Sequence, residues 1–225
     1  MSCLAVLVDF TNSKFLLGLF VAGLAAFRVF LYFQRENDLK EMPLFFAELG
    51  EKLGIGPVEM YENYAGEELP AAKGEFRGFI VEIFTDTSGT GRNIRYKTVI
   101  VIHLKHQSSF ELDLSQENIS DKIGKALLLE TDIETGHPEF DRFFLLKSNN
   151  KAFALQLLNP LLIEKLMEAK DLFQAPVMLA HNKIVYKEQR LIGSEATVER
   201  LSEVAELMAA VAESYEKCAV NGLSS

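Results

Sequence analysis

The sequence predicts an α+β fold: an N-terminal transmembrane helix followed by a mainly antiparallel sheet packed by helices, with a long C-terminal helix closing it. Three observations carry this expectation. Residues 15–33, FLLGLFVAGLAAFRVFLYF, form one apolar run whose single charge is Arg28. Apolar residues then alternate with period two over 76–84 and 94–104, the repeat of half-buried strands. Beyond Ser194 the period becomes helical, with Val198, Leu201, Val204, Met208, Val211 and Tyr215 on one face.

A chain of 225 residues suits one well-buried domain with an appendage, since one core commonly serves about 100–200 residues. With 48% hydrophobic and 24% charged residues it is neither disordered throughout nor a multi-span membrane protein. A net charge of -9 and a pI near 5.1 repel phosphates, and no Lys/Arg stripe overcomes this locally, which argues against nucleic acid as a partner. Cys3 and Cys218 lie at opposite ends, without the spacing of a disulfide framework or thiolate metal site, and read as free thiols in a reducing compartment. The sequon Asn118-Ile119-Ser120 would matter only in a glycosylating lumen.

The expected organisation is an N-terminal segment over 1–38, a juxtamembrane helix and linker over 39–73, a soluble α+β domain over 74–217 and a tail over 218–225. A helix over 15–33 would be about 28 Å long, close to the thickness of a bilayer's hydrocarbon core. A guanidinium at mid-bilayer costs about 2.5–3.5 kcal/mol, but Arg28 sits near one end and can snorkel to the headgroups. Two competing readings are a cleaved signal peptide and an amphipathic surface helix. The first wants a basic start, whereas Asp9 precedes the first Lys14, and the second wants a polar face that this run lacks. Arg28, Arg35 and Lys40 cluster on the C-terminal side, so the positive-inside bias makes this a single-pass membrane protein with a cytoplasmic domain. Gly18, Ala22 and Ala26 recur every four residues and would permit close helix packing in lipid.

After the anchor, Pro43 opens a short helix carrying Leu44, Phe45, Leu49 and Leu53, stopped by Gly54 and Gly56. Residues 57–74, rich in acids and holding Pro70, read as an irregular connector. The strands over 76–84 and 94–104 are joined by the hairpin loop TDTSGTGRN, and Phe110, Leu112 and Leu114 continue the alternation into an antiparallel meander. A short helix over 119–129, an acidic turn and a strand over 142–147 follow. Residues 150–158 and 161–170 read as two helices split at Pro160, the second capped by Asn159. Residues 175–180 and 183–188 form a hairpin about His181-Asn182, and Ser194 caps the last helix. A pleckstrin-like barrel closed by that helix is the candidate topology, with a helix-grip cavity fold as the alternative; neither implies a function.

The nucleophile elbow, the zinc-binding H-E-x-x-H, the phosphate loop and C-x-x-C are all absent. Gly89-Thr90-Gly91-Arg92 joins two strands and does not open a helix, so it reads as a hairpin loop in preference to an anion cradle. His103 and His106 are three apart in a strand, on opposite faces, and read as surface histidines. The densest polar group is Glu130, Asp132, Glu134, His137, Glu139 and Asp141, whose oxygens and imidazole suit a divalent cation. The competing account has Gly136 and Pro138 shaping a turn that Phe140 and Phe143 anchor in the core. No cofactor is indicated.

That segment, Thr135-Gly136-His137-Pro138-Glu139-Phe140-Asp141-Arg142-Phe143, resembles the TG-x-PEFD-x-x-F signature of uncharacterised prokaryotic membrane-anchored proteins with an α+β domain. Gly74-Glu75-Phe76-Arg77-Gly78 matches the opening strand of that family, and the resemblance extends through Leu157-Leu158-Asn159-Pro160 to the last helix. It implies an anchored module and supplies no catalytic residues. The expectation is therefore a non-catalytic interaction or envelope-associated module held in the membrane by residues 15–33, with a protein partner or a second copy of itself. The alternative is a small-molecule or lipid-binding domain, or an enzyme, with a cavity between the sheet and the last helix.

Overall fold

The computed structural model describes residues 3–63, 66–89, 94–107, 109–116 and 132–222. The expected helix over 119–129, the sequon, residues 90–92 of the glycine loop and Glu130 lie outside these. The chain divides into two units, residues 1–41 and 42–225.

In the first unit the backbone is helical from Cys3, the start of α1 (Cys3–Leu53). Side chains are described there over 17–29, where Leu17, Leu19, Phe20, Val21, Leu24, Phe27 and Val29 are exposed. The expected transmembrane helix is not carried by the described residues: among them no helix is long and apolar enough to cross a membrane. A stretch over 17–29 rises about 20 Å, short of a hydrocarbon core of about 30 Å.

In the second unit, α1 passes through Pro43 without the new start that the sequence predicts. The face it buries is Met42, Phe46, Leu49 and Leu53, whereas Leu44 is exposed. Burial of this stripe outweighs the local preference of proline, which removes one backbone donor. Gly54, at φ +63°, ends the helix as expected: the N–H of Gly54 donates to Glu51 O at 3.1 Å and that of Ile55 to Gly50 O at 2.9 Å, a Schellman closure.

The predicted connector over 57–74 is largely strand, β1 (Val58–Glu62) and β2 (Glu68–Phe76). Pro70 lies beyond the end of the ladder between β2 and β3 (Phe79–Ser88), where its missing N–H costs no bond to β3. The other strands are β4 (Arg95–His103), β5 (Leu112–Gln116), β6 (Phe144–Ser148), β7 (Val177–Ala180) and β8 (Lys183–Glu188). All pairings are antiparallel, in the order β1-β2-β3-β4-β8-β7-β5-β6. The simple meander fails at β5, because the β7–β8 hairpin stands between it and β4. Alternation fixes which face a strand shows, but partner choice is made by contacts distant in sequence.

The predicted turn at His181-Asn182, and a second at Arg77-Gly78, have the backbone that right-twisted hairpins need. His181 and Asn182 take φ +51° and +63°, and Arg77 and Gly78 take +51° and +80°. One row of side chains, Ala72, Ile83, Ile100, Tyr186, Val177, Leu114 and Leu146, crosses the sheet on its buried face. On this side lie α3 (Lys151–Leu157), α4 (Pro160–Glu168) and α5 (Glu195–Gly222), and α5 buries its whole predicted stripe. The caps at Asn159 and Ser194 form as expected, accepting from the backbone N–H of Leu162 and Thr197, and Asn150, read as the first residue of its helix, caps it instead by accepting from Phe153 N.

Candidate functional site

The acidic turn leads into α2 (Pro138–Phe143), with Pro138 in its first turn and His137 as an N-cap whose side chain makes no capping bond. Asp141 closes the turn. Its carboxylate accepts from Thr135 N at 2.9 Å, Thr135 Oγ1 at 2.7 Å and Gly136 N at 3.2 Å, while Gly136 holds φ +85°. Asp132 lies 3.8 Å from Lys147 beside β6, and Glu134, His137 and Glu139 point to solvent. The five described candidates, Asp132, Glu134, His137, Glu139 and Asp141, therefore do not converge, and among the described residues no three His, Cys, Asp or Glu side chains are grouped to hold a metal ion. Phe140 is buried and stacks on Phe144 at 4.9 Å. Phe143 is a correction: α2 turns it outward, 40% exposed, under the Lys170 ammonium, and Phe144 fills the core place expected of it. The signature residues that the resemblance rests on thus shape a turn, with Asp141 tying down the amides, Pro138 starting the helix and Phe140 pinning it.

One buried polar constellation is not among the residues that the sequence singles out. Glu188 at the end of β8 is 1% exposed, and it accepts from Arg200 Nη2 at 2.7 Å and from Tyr186 OH at 2.8 Å. Arg200 also donates to Leu172 O at 3.1 Å, and Gln174 N donates to Tyr186 OH at 3.0 Å. Burial, reinforced by the Glu188 charge, drives the Tyr186 hydroxyl well above its ordinary value, so it stays protonated and donates. The signal was available: Glu188 shares the parity of Ile184 and Tyr186, which assigns it to the inward face. Because each group is satisfied by another, the arrangement clips α5 to β8 and the 170–174 turn and leaves no free acid or base.

The other sheet face carries charged cross-strand pairs: Lys73 with Glu82 at 2.6 Å, and Lys187 with Asp86. The hydrogen bond from Lys73 holds the Glu82 carboxyl below its usual range. His103 Nε2 is 3.4 Å from Glu82 Oε2, near enough for attraction but not aligned as a hydrogen bond. On β5, Asp113 Oδ1 is buried without a hydrogen-bond partner, and burial raises its pKa despite the pull of Lys147. The two histidines part company: His106, just past the end of β4, pairs through its Nδ1 with Glu216 of α5, which also accepts from Lys105 N at 2.6 Å. At the same end Arg77 bridges Glu206 at 2.7 Å and Glu213 at 2.8 Å, holding the β2–β3 tip to α5.

A groove between α4 and α5, lined by Asn159, Leu161, Lys165, Glu213, Ser214 and Lys217, encloses about 60 Å³. Sites for small molecules usually run to about 300–1,000 Å³, so this groove is too small for one. Among the described residues, a run of exposed apolar side chains lies in the first unit, where all positions from 17 to 29 are exposed on every side of the helix. An added Cβ at Gly18 or Gly23 would meet nothing within 4 Å.

No protein-family model and no curated protein matches this chain. Among solved structures it is similar to the mycobacterial trehalose monomycolate transport factor A, TtfA, with a TM-score of 0.51 and 14% sequence identity, over 77% of this chain and 94% of that one. At that identity the likeness establishes the fold alone.

Proposed function

We propose that this chain is a membrane-associated, non-catalytic interaction module of the cell envelope. Residues 15–33 would hold it to the bilayer with the sheet domain on the cytoplasmic side, and it would act through a protein partner or a second copy of itself. One observation carries this reading: the seven large apolar side chains between Leu17 and Val29 are 49–64% exposed and distributed around the helix. A protein groove covers one face of a helix, whereas lipid covers all of them. The apolar run extends beyond these residues on both sides in the sequence, to 15 and 33. The likeness to a transport factor for trehalose monomycolate supports the envelope setting. A non-catalytic role is supported by Glu188 with Arg200 and by Arg77 with Glu206 and Glu213, which are spent on one another, and by Asp141, which is spent on Thr135 and the Gly136 amide.

The test is vesicle flotation of the full chain against Phe20→Glu/Leu24→Lys. These charges sit at i and i+4, so they favour the helix while interrupting the apolar surface. Each costs about 2.5–3.5 kcal/mol in a bilayer centre. The unaltered chain should float and the variant should stay in the dense fraction; equal flotation of both would refute the reading.

A further inference from the structure

Arg28 is the one charge on the exposed apolar surface between Leu17 and Val29. The positions four, seven and eleven residues before it, Leu24, Val21 and Leu17, form the ridge it stands on, and all are exposed and apolar. Phe27 and Val29 flank it, also exposed. None of the ion pairs among the described residues involves Arg28. An arginine so placed is costly in hydrocarbon, and unlike lysine or histidine it cannot escape by losing its proton. It needs an anion within reach.

Distance along the helix selects which anion. From Arg28 to the end of the apolar run at residue 33 is about 7.5 Å, a span that an extended arginine side chain covers by snorkelling. To the other end, at residue 15, is about 20 Å, beyond reach. The planar fork of the guanidinium matches phosphate oxygens two at a time. We infer that Arg28 is a lipid-phosphate ligand, engaging the headgroup phosphates of the leaflet at the C-terminal end of the run and fixing the depth at which the helix sits. This rests on the reading of residues 15–33 as a membrane segment. It adds a chemical partner and a role for one residue. Without Arg28 the run would centre itself by hydrophobic match alone, which draws position 27 toward the bilayer midplane.

The chain has no tryptophan, so Phe27→Trp installs a sole indole one residue from the charge. The full chain with that substitution is reconstituted in phosphatidylcholine vesicles brominated either near the headgroup or near the chain ends, alone and with Arg28→Leu or Arg28→Lys. The indole should be quenched more strongly by the shallow bromines when Arg28 is retained or replaced through Arg28→Lys, and more strongly by the deep ones with Arg28→Leu. The thermal transition of the sheet domain, followed by circular dichroism, should be the same in all three. If the depth profile is identical with and without the charge, or becomes shallow only when a second membrane protein with an acidic residue is added, the phosphate assignment is overturned while the membrane reading stands. Absence of quenching by either lipid in every variant would overturn the membrane reading itself.

Discussion

Arg200→Met tests how the second unit is locked together. The substitution keeps the length and apolar stem of the side chain but leaves the Glu188 carboxylate, 1% exposed, with Tyr186 OH as its remaining partner, and it orphans Leu172 O. Removing one member of a buried pair costs about 3–5 kcal/mol, because the other stays as an uncompensated charge. Replacing both, Glu188→Met/Arg200→Met, removes that charge; Tyr186 OH still accepts from Gln174 N and loses an acceptor, for a total of about 1–2 kcal/mol. The double variant should therefore be more stable than Arg200→Met alone, with a coupling of at least about 2 kcal/mol. Urea unfolding at neutral pH, with unchanged m-values, measures all four corners of the cycle. If Arg200→Met costs under about 1 kcal/mol, or if the two single losses simply add, the pair is solvated in solution and does not clip α5 to the sheet.

Three further outcomes follow from the packing. Gly74→Ala places a Cβ 2.7 Å from Gly56 N and 2.8 Å from Ile55 Cα, backbone that cannot step aside, so a loss of about 1–3 kcal/mol or more is expected; Gly50→Ala, with its nearest contact at 3.6 Å, should be neutral or stabilising in the same thermal melts. Phe140→Ala should cost about 3–5 kcal/mol and Phe143→Ala about 1 kcal/mol or less, an asymmetry that denaturant midpoints will resolve. Asp113 is raised in the folded state by burial, so folding binds a proton there and the group's contribution falls as pH rises from the unfolded carboxylate value through the raised one. Asp113→Asn should therefore stabilise at pH 7, with an advantage that shrinks as the pH falls through the raised value and is gone below about 4, the unfolded carboxylate value; an unchanged advantage at acid pH would show that ionisation is not the cause.

Much of the architecture could be read from the chain because it is written in local chemistry. Gly54 supplies the left-handed residue that ends α1, Asn159 and Ser194 cap the helices that follow them, and His181-Asn182 forms the predicted turn. The stripe from Val198 to Tyr215 is buried as its spacing demands. The acidic segment was legible as a turn with Phe140 inside, and its grouping of acids drew attention to cation binding although their side chains diverge. Composition placed the apolar run at 15–33 in the same direct way, since hydropathy is a property of the residues themselves.

What the tertiary structure decided is everything that depends on partners remote in sequence. The insertion of the β7–β8 hairpin between β4 and β5, the recruitment of 58–62 and 68–76 into the sheet, and the passage of α1 through Pro43 all set a weak local preference against burial that only the assembled domain offers. Glu188 and Arg200 are ordinary surface residue types in the sequence, and they become a buried pair because β8 and α5 meet there. Local signals act over a few residues and fix turns, caps and faces, whereas the choice of neighbours is a sum over the whole core and is therefore invisible in any one segment of the chain.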